Sequence, residues 1–218
     1  MSYEIGEYLG KGDNAVVYRA RKNGKNYAMK FILENTPEII HEISIHKQAA
    51  ALGCAPNIYE DFSDVEHNGV KYARAIVMDV IQTFRNSISD GIQKDLVQRT
   101  WLLIQNGIIH NDLHQGNVGM RREGRRMRGV IFDFGEAERI DPPRDCVVLR
   151  QLLVSQLYAL ITRTDCNTNN TIPLCGDHPI HDTIYLIRKH SPESLQELED
   201  LIGISCQRQP DSRKRLRL

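Results

Sequence analysis

No stretch of this chain comes near the roughly eighteen consecutive apolar residues that mark a membrane-spanning helix. Its opening, Met1 to Glu7, has neither the basic region nor the apolar run of a secretory leader, so we expect no secretion and no membrane partner. An excess of charge is also missing. The 28 basic and 28 acidic residues cancel, so no overall field draws the chain to nucleic acid, and any such partner must be held by a local patch. Cysteine is scarce: Cys54, Cys146, Cys166, Cys175 and Cys206 are odd in number and form no C-x-x-C pair. That excludes a disulfide framework, argues against a zinc site, and points to reduced thiols in an intracellular, cytoplasmic compartment. What remains is an ordinary globular composition, 41% hydrophobic and 26% charged over 218 residues, enough for one large domain or two small lobes.

The chemistry concentrates in two short stretches. The first is His110-Asn111-Asp112-Leu113-His114-Gln115-Gly116-Asn117 and the second is Ile131-Phe132-Asp133-Phe134-Gly135. Asp112, Asn117 and Asp133 stand beside apolar residues that would anchor a loop. Together they offer one potential base and two oxygen ligands for a hard cation, the requirements of phosphoryl transfer. The bland alternative is that they are ordinary polar loop residues between strands.

Local patterns place these stretches in a fold. Tyr8 to Ala20 reads as strand, glycine-bearing turn and strand, with Gly10 and Gly12 able to let backbone approach a phosphate; a plain hairpin fits equally. Asn23-Gly24 turns into a strand over 26–32. Thr36 and Pro37 open a helix with Ile39, Ile40, Ile43 and Ile45 on its apolar side. Strands follow over 58–62 and 72–81, joined by the turn at His67-Asn68-Gly69, and a buried helix over 92–105 stops at Asn106-Gly107. Met120 to Arg128 is a glycine-centred hairpin with five arginines, read as a solvated turn in preference to a patch for an acidic partner. Asp145 to Val154 opens an apolar helix that Asp145 would cap. Then come a polar loop from Cys166 to Thr171, a stretch rich in Pro, His and Asp, one helix over 192–202, and a basic tail from Arg213 to Leu218. Asp177, His178, His181 and Asp182 are read as loop residues, not as metal ligands.

In order and spacing, the two stretches resemble the protein-kinase superfamily signature, in which a catalytic loop H-R-D-L-x-x-x-N precedes a D-F-G metal loop. The resemblance covers about residues 3 to 165 and is similar to compact viral kinases, bacterial-effector kinases and the small tRNA-modification-complex kinases. It implies an α+β, bilobal fold: an antiparallel-sheet N-lobe over 1–80 and a reduced helical C-lobe over 81–218 that ends in the basic tail. Asp112 would be the base, with Asn117 and Asp133 holding Mg²⁺. Gly10, Gly12, Ala15 and Val17 would cover the phosphates of ATP, although Ala15 stands where the third glycine of the loop is expected. Lys30, two residues after Ala28 as in V-A-I-K, would grip the phosphates and pair with Glu42. Glu38 is the other candidate but lies in the first helical turn. Met78 would back the adenine, Val80 would offer it backbone groups, and Asp145 would brace the catalytic loop.

Departures from the pattern shape the expected function. Asn111 replaces the usual arginine, only twelve residues separate Asp133 from Asp145, and no A-P-E occurs between them, so activity should not depend on activation-loop phosphorylation. His114 replaces the lysine usual in Ser/Thr kinases and resembles the loops of aminoglycoside phosphotransferases and choline kinases. The leading expectation is a minimal Ser/Thr protein kinase acting on a protein substrate. A small-molecule kinase and a partner-dependent pseudokinase are the alternatives. An activating protein partner fits the reduced C-lobe, and nucleic acid stays open as a partner because it too would fit the basic hairpin and tail.

Overall fold

Two Asn-Gly turns shape the N-terminal sheet. In the computed structural model, which describes residues 3–12, 14–84, 88–162 and 179–207, Asn23 and Gly24 have φ of 51° and 75°, and Asn68 and Gly69 have the same pair of values. Two successive left-handed residues are what a two-residue hairpin with native strand twist requires. The first turn joins β2 (Ala15–Lys22) to β3 (Lys25–Ile32), and the second joins β4 (Ile58–His67) to β5 (Val70–Met78). With β1 (Glu4–Lys11), these strands form an antiparallel sheet in the order β1-β2-β3-β5-β4.

Strand alternation gives this sheet two apolar faces. On β3, Met29 and Phe31 pack with Ala20, Val77 and Tyr72, whereas Ala28 and Ile32 pack with Ala15, Ile43, Ile76 and Met78. β4 runs on to His67, past the expected end at Phe62. It is the edge strand, so its polar residues between Ser63 and His67 can face solvent while their backbone pairs with β5. β5 stops at Met78, short of the expected Ile81, and residues 79–81 continue outside any strand.

α1 (Pro37–Ala51) begins where Thr36 Oγ1 accepts a hydrogen bond from Ile39 N at 3.4 Å. Ile43 and Ile45 are buried, but Ile40 is 49% exposed, which narrows the expected apolar side. The second half of α1 joins the main core. Ile45 and Ala49 pack into the cluster built by α2 (Asp90–Gln105), α3 (Cys146–Thr162), α4 (Pro179–His190) and α5 (Leu195–Gln207). The molecule is thus α+β and bilobal, with α1 reaching from the sheet into the helical lobe.

Five short strands carry the loops of the helical lobe. β6 (Gln82–Thr83) pairs with β8 (Val118–Glu123), which forms a hairpin with β9 (Arg126–Ile131), while β7 (Ile108–Ile109) pairs with β10 (Glu138–Arg139). α4 corrects the sequence reading, which left this stretch as loop. Ile180, Ile184 and Ile187 recur at helical spacing and are all buried, so one apolar stripe holds the helix against its neighbours, and His181 and Asp182 are helical residues. α5 starts at Leu195, not Pro192, where Ser194 Oγ accepts from Glu197 N at 3.2 Å. The 166–171 loop, Asp177, His178 and the basic tail lie outside the described residues. Among the described residues no helix is long and apolar enough to cross a membrane.

Candidate active site

Alternation on β3 puts Lys30 on the same face as Ala28 and Ile32, and its register sets it opposite Val17 on β2 and Ile76 on β5. From there Lys30 Nζ reaches Glu42 Oε1 of α1 at 2.6 Å, with both side chains largely withdrawn from solvent. Glu38 is exposed in the first turn of α1, where the Thr36 hydroxyl lowers the pKa of its carboxyl. Ala15, Val17, Ala28 and Met78 line one cluster beside this pair. Gly12 N donates to Ala15 O at 2.9 Å and closes the β1–β2 turn. A Cβ added to Gly10 or Gly12 would meet nothing within 4 Å, so backbone faces open space there. Val80 is half-buried in the segment after β5.

The loop that carries Asp112 and Asn117 hangs between β7 and β8. Asn111 sits at φ 62°, and its Nδ2 donates to Glu136 O at 3.2 Å. Asn117 closes a single 3₁₀ turn, Gln115–Asn117, and its Nδ2 donates to Asp112 O at 2.9 Å and Asp112 Oδ2 at 3.1 Å. With its amide nitrogen committed, Asn117 keeps its carbonyl oxygen for another group. His114 Nδ1 accepts from Gly116 N at 3.0 Å, so in the neutral ring the proton rests on Nε2, which stands 3.4 Å from Asp112 Oδ2.

Asp133 takes φ 65°, a left-handed conformation uncommon outside glycine, and its side chain is exposed. Phe134 beside it is fully buried between two imidazoles, 5.1 Å from the His110 ring and 5.7 Å from the His46 ring. Each histidine donates from Nε2 to a backbone carbonyl: His110 to Phe132 O at 3.0 Å, and His46 to Pro56 O at 2.9 Å. Burial pushes the pKa of both rings down, so both are neutral donors. The charges of Lys30, Glu42 and Asp133 act on His46, and those of Asp112 and Asp133 act on His110. All the charged candidates therefore converge on one region. Asn117 Oδ1 and the Asp133 carboxylate fit a hard oxygen-seeking cation such as Mg²⁺, since Asp133 forms no hydrogen bond or ion pair among the described residues.

Sequence reasoning missed the groups behind this site. His46 lies four residues after Glu42, and that helical spacing was the available signal for placing both on one face. Arg121 corrects the solvated-turn reading of the arginine hairpin: it is 7% exposed and bonds Ala55 O, Asp79 and Glu123, while Arg128 pairs with Asp95 at 2.9 Å. Only Arg122, Arg125 and Arg126 face solvent fully. Asp145 Oδ1 accepts from Val147 N at 2.8 Å and Val148 N at 3.1 Å, which is the capping arrangement of α3.

Comparison with known proteins follows this geometry. Residues 41–166, more than half of the chain, match the family described as the ABC1 atypical kinase-like domain. The chain belongs to the ABC1 atypical kinase-like domain family. The matched span of this ABC1-type chain holds Glu42, Asp112, Asn117 and Asp133, and begins after Lys30. The chain is 31% identical over 128 residues to an uncharacterized protein of Mycobacterium tuberculosis, covering 55% of this chain and 24% of that protein. It is 29% identical over 161 residues to the serine/threonine-protein kinase PLK4 of Aedes aegypti, covering 65% of this chain and 20% of that kinase. The ABC1-type chain thus spans about a quarter or less of the curated relatives it matches.

Proposed function

We propose that this ABC1-type chain is an ATP- and Mg²⁺-dependent phosphotransferase whose acceptor is a Ser or Thr hydroxyl of a protein. The observation that carries the reading is the Lys30–Glu42 pair at 2.6 Å, formed above a catalytic loop in which Asn117 already orients Asp112. Phosphoryl transfer depends mainly on positioning and charge neutralisation, and these residues supply both. Lys30 grips the phosphates, held in place by Glu42. Gly10, Gly12, Ala15 and Val17 cover them, with Ala28, Met78 and Val80 around the base. Asn117 and Asp133 would hold Mg²⁺, which when bound neutralises charge on the transferred group. Asp112 orients the acceptor hydroxyl and takes its proton. Similarity to PLK4 over 65% of the chain supports the protein acceptor, and the buried free thiols Cys54 and Cys146 are compatible with a reducing, intracellular setting.

A second reading, a small-molecule acceptor, is favoured by His114 against Asp112 and by the short segment after Gly135. That segment enters β10 at once and is tied to β7, which leaves little of it to carry a peptide. A transfer assay with radiolabelled ATP and Mg²⁺ decides between them, run with wild type and Asp112→Ala on generic basic proteins, a cell lysate and aminoglycosides. Label on protein Ser or Thr that vanishes in the variant supports the first reading. Label only on small molecules supports the second, and tight ATP binding without transfer supports a pseudokinase.

A further inference from the structure

The segment after β5 has no strand partner over residues 79–81, yet it carries Val80, which with Met78 the proposed nucleotide reading sets around the base. Its only charged side chain, Asp79, accepts four hydrogen bonds. Asp79 Oδ2 accepts from Asn57 N at 2.8 Å, Asn57 Nδ2 at 3.0 Å and Arg121 Nη1 at 3.0 Å, and Oδ1 accepts from the Tyr59 hydroxyl at 2.6 Å. Asp79 N returns a bond to Asn57 O at 3.1 Å. Arg121 Nη1 also donates to Ala55 O at 2.9 Å, while its Nε and Nη2 hold Glu123. One guanidinium thus joins the loop before β4, the segment after β5 and the β8–β9 hairpin.

A second contact between the same pieces lies three residues on. Gln82 of β6 pairs with Met120 of β8, next to Arg121. Gly119 permits the approach: a Cβ there would stand 2.3 Å from Ile81 Cγ2 and 3.0 Å from Gln82 O. β8 therefore backs residues 79–83 at both ends, by a side chain at Asp79 and by backbone pairing at Gln82.

We propose that Asp79 and Arg121 are positioning residues that hold the Asp79–Val80 backbone, which follows the last paired residue of β5, in register for the purine base. This rests on the nucleotide reading above and deepens it. Backbone groups that recognise a flat heterocycle must keep their place within about half an ångström, and an extended segment without a strand partner does not do so unaided. An ion pair that only stabilised the fold would leave the ratio of base binding to phosphate binding unchanged. A pair that positions the base-binding backbone changes that ratio.

The test is calorimetric titration of the full chain with adenosine and, separately, with Mg²⁺–tripolyphosphate, for wild type, Asp79→Asn, Arg121→Met, the double variant, Arg121→Lys and Tyr59→Phe. We expect adenosine affinity to fall about tenfold in each of the first two single variants, the loss of one hydrogen bond to a charged group. The double variant falls no further, Arg121→Lys recovers part of the loss, and tripolyphosphate affinity stays within about twofold of wild type. Tyr59→Phe touches an exposed side chain and keeps the fold, so it decides the matter if Arg121→Met does not fold; its adenosine affinity drops about two- to threefold. Equal loss of both probes, loss of neither, or additive effects overturn the proposal. Wild type that binds neither probe overturns the nucleotide reading itself, and the proposal with it.

Discussion

Lys30 Nζ and Glu42 Oε1 meet at 2.6 Å across the junction of β3 and α1 and tie the sheet's inner face to the helix that enters the main core. A half-buried ammonium without its partner is costly, so Glu42→Gln should lower stability by about 1–3 kcal/mol. It should also weaken nucleotide binding on the order of tenfold by releasing Lys30. Lys30→Met should remove the phosphate grip while keeping the side chain's volume. Titration with ATP against adenosine checks this: the loss should appear with ATP and be absent with adenosine.

Asp112 and Asp133 should fail in different ways. Asp112→Ala is expected to bind nucleotide with Mg²⁺ as wild type does and to lose transfer by about 10²- to 10⁴-fold. Asp133→Ala should chiefly lose the metal-dependent part of nucleotide affinity. Nucleotide titrations with and without Mg²⁺ that gave the reverse pattern would remove both assignments.

His46 and His110 make stability depend on pH. Burial lowers the pKa of both rings, so the unfolded chain takes up protons that the folded chain refuses. Their full contribution is present above the ordinary imidazole value of about 6.5 and is lost as pH falls through it toward the depressed folded values. Melting temperature should therefore decline from about pH 7.5 to about pH 5.5. His46→Leu should flatten that slope while retaining the His110 share, and should cost about 1–2 kcal/mol at neutral pH by leaving Pro56 O without its donor. An unchanged slope would count against the role of His46.

Gly107 ends α2 at φ 70°, and a Cβ there would lie 2.3 Å from Ile140 O, a backbone atom that cannot rotate away. Gly107→Ala should destabilise by about 3 kcal/mol or more, combining backbone strain with a clash. Gly124, at φ 59° in the β8–β9 turn, has open space at the same position. Gly124→Ala should cost only about 1 kcal/mol. Paired denaturant titrations of the two variants separate strain from collision.

The parts of the site legible in the chain were those encoded by neighbours. Asp112 and Asn117 lie five residues apart, and Lys30 and Glu42 twelve, with a strand end and a helix start between them; such spacings constrain geometry before any tertiary contact exists. Glu42 over Glu38 was decided by the same reasoning, and the structure brings Lys30 to Glu42. The arginine hairpin shows the opposite case. Its glycine-centred turn was readable, but the five arginines look alike in sequence, and only the approach of Ala55 and Asp79 separates buried Arg121 from solvated Arg122. α4 was passed over because its proline and histidines suggested a loop. The buried Ile180, Ile184 and Ile187 outweigh that composition, because helix formation there is driven by packing against α2, α3 and α5.

By itself, then, the sequence determined the left-handed Asn-Gly turns, the alternating faces of β3, the capped start of α1 and the loop that carries Asp112. Each depends on backbone preferences and side-chain periods acting over a few residues. Only the tertiary structure decided that Phe134 is held between His46 and His110, that α1 belongs to both lobes, and that Asp79 is gripped from Asn57, Tyr59 and Arg121 at once. Those contacts join residues 20 to 88 positions apart. Hydrogen-bond direction and close packing select them after the chain has collapsed, and no local propensity records which of many equivalent side chains will meet.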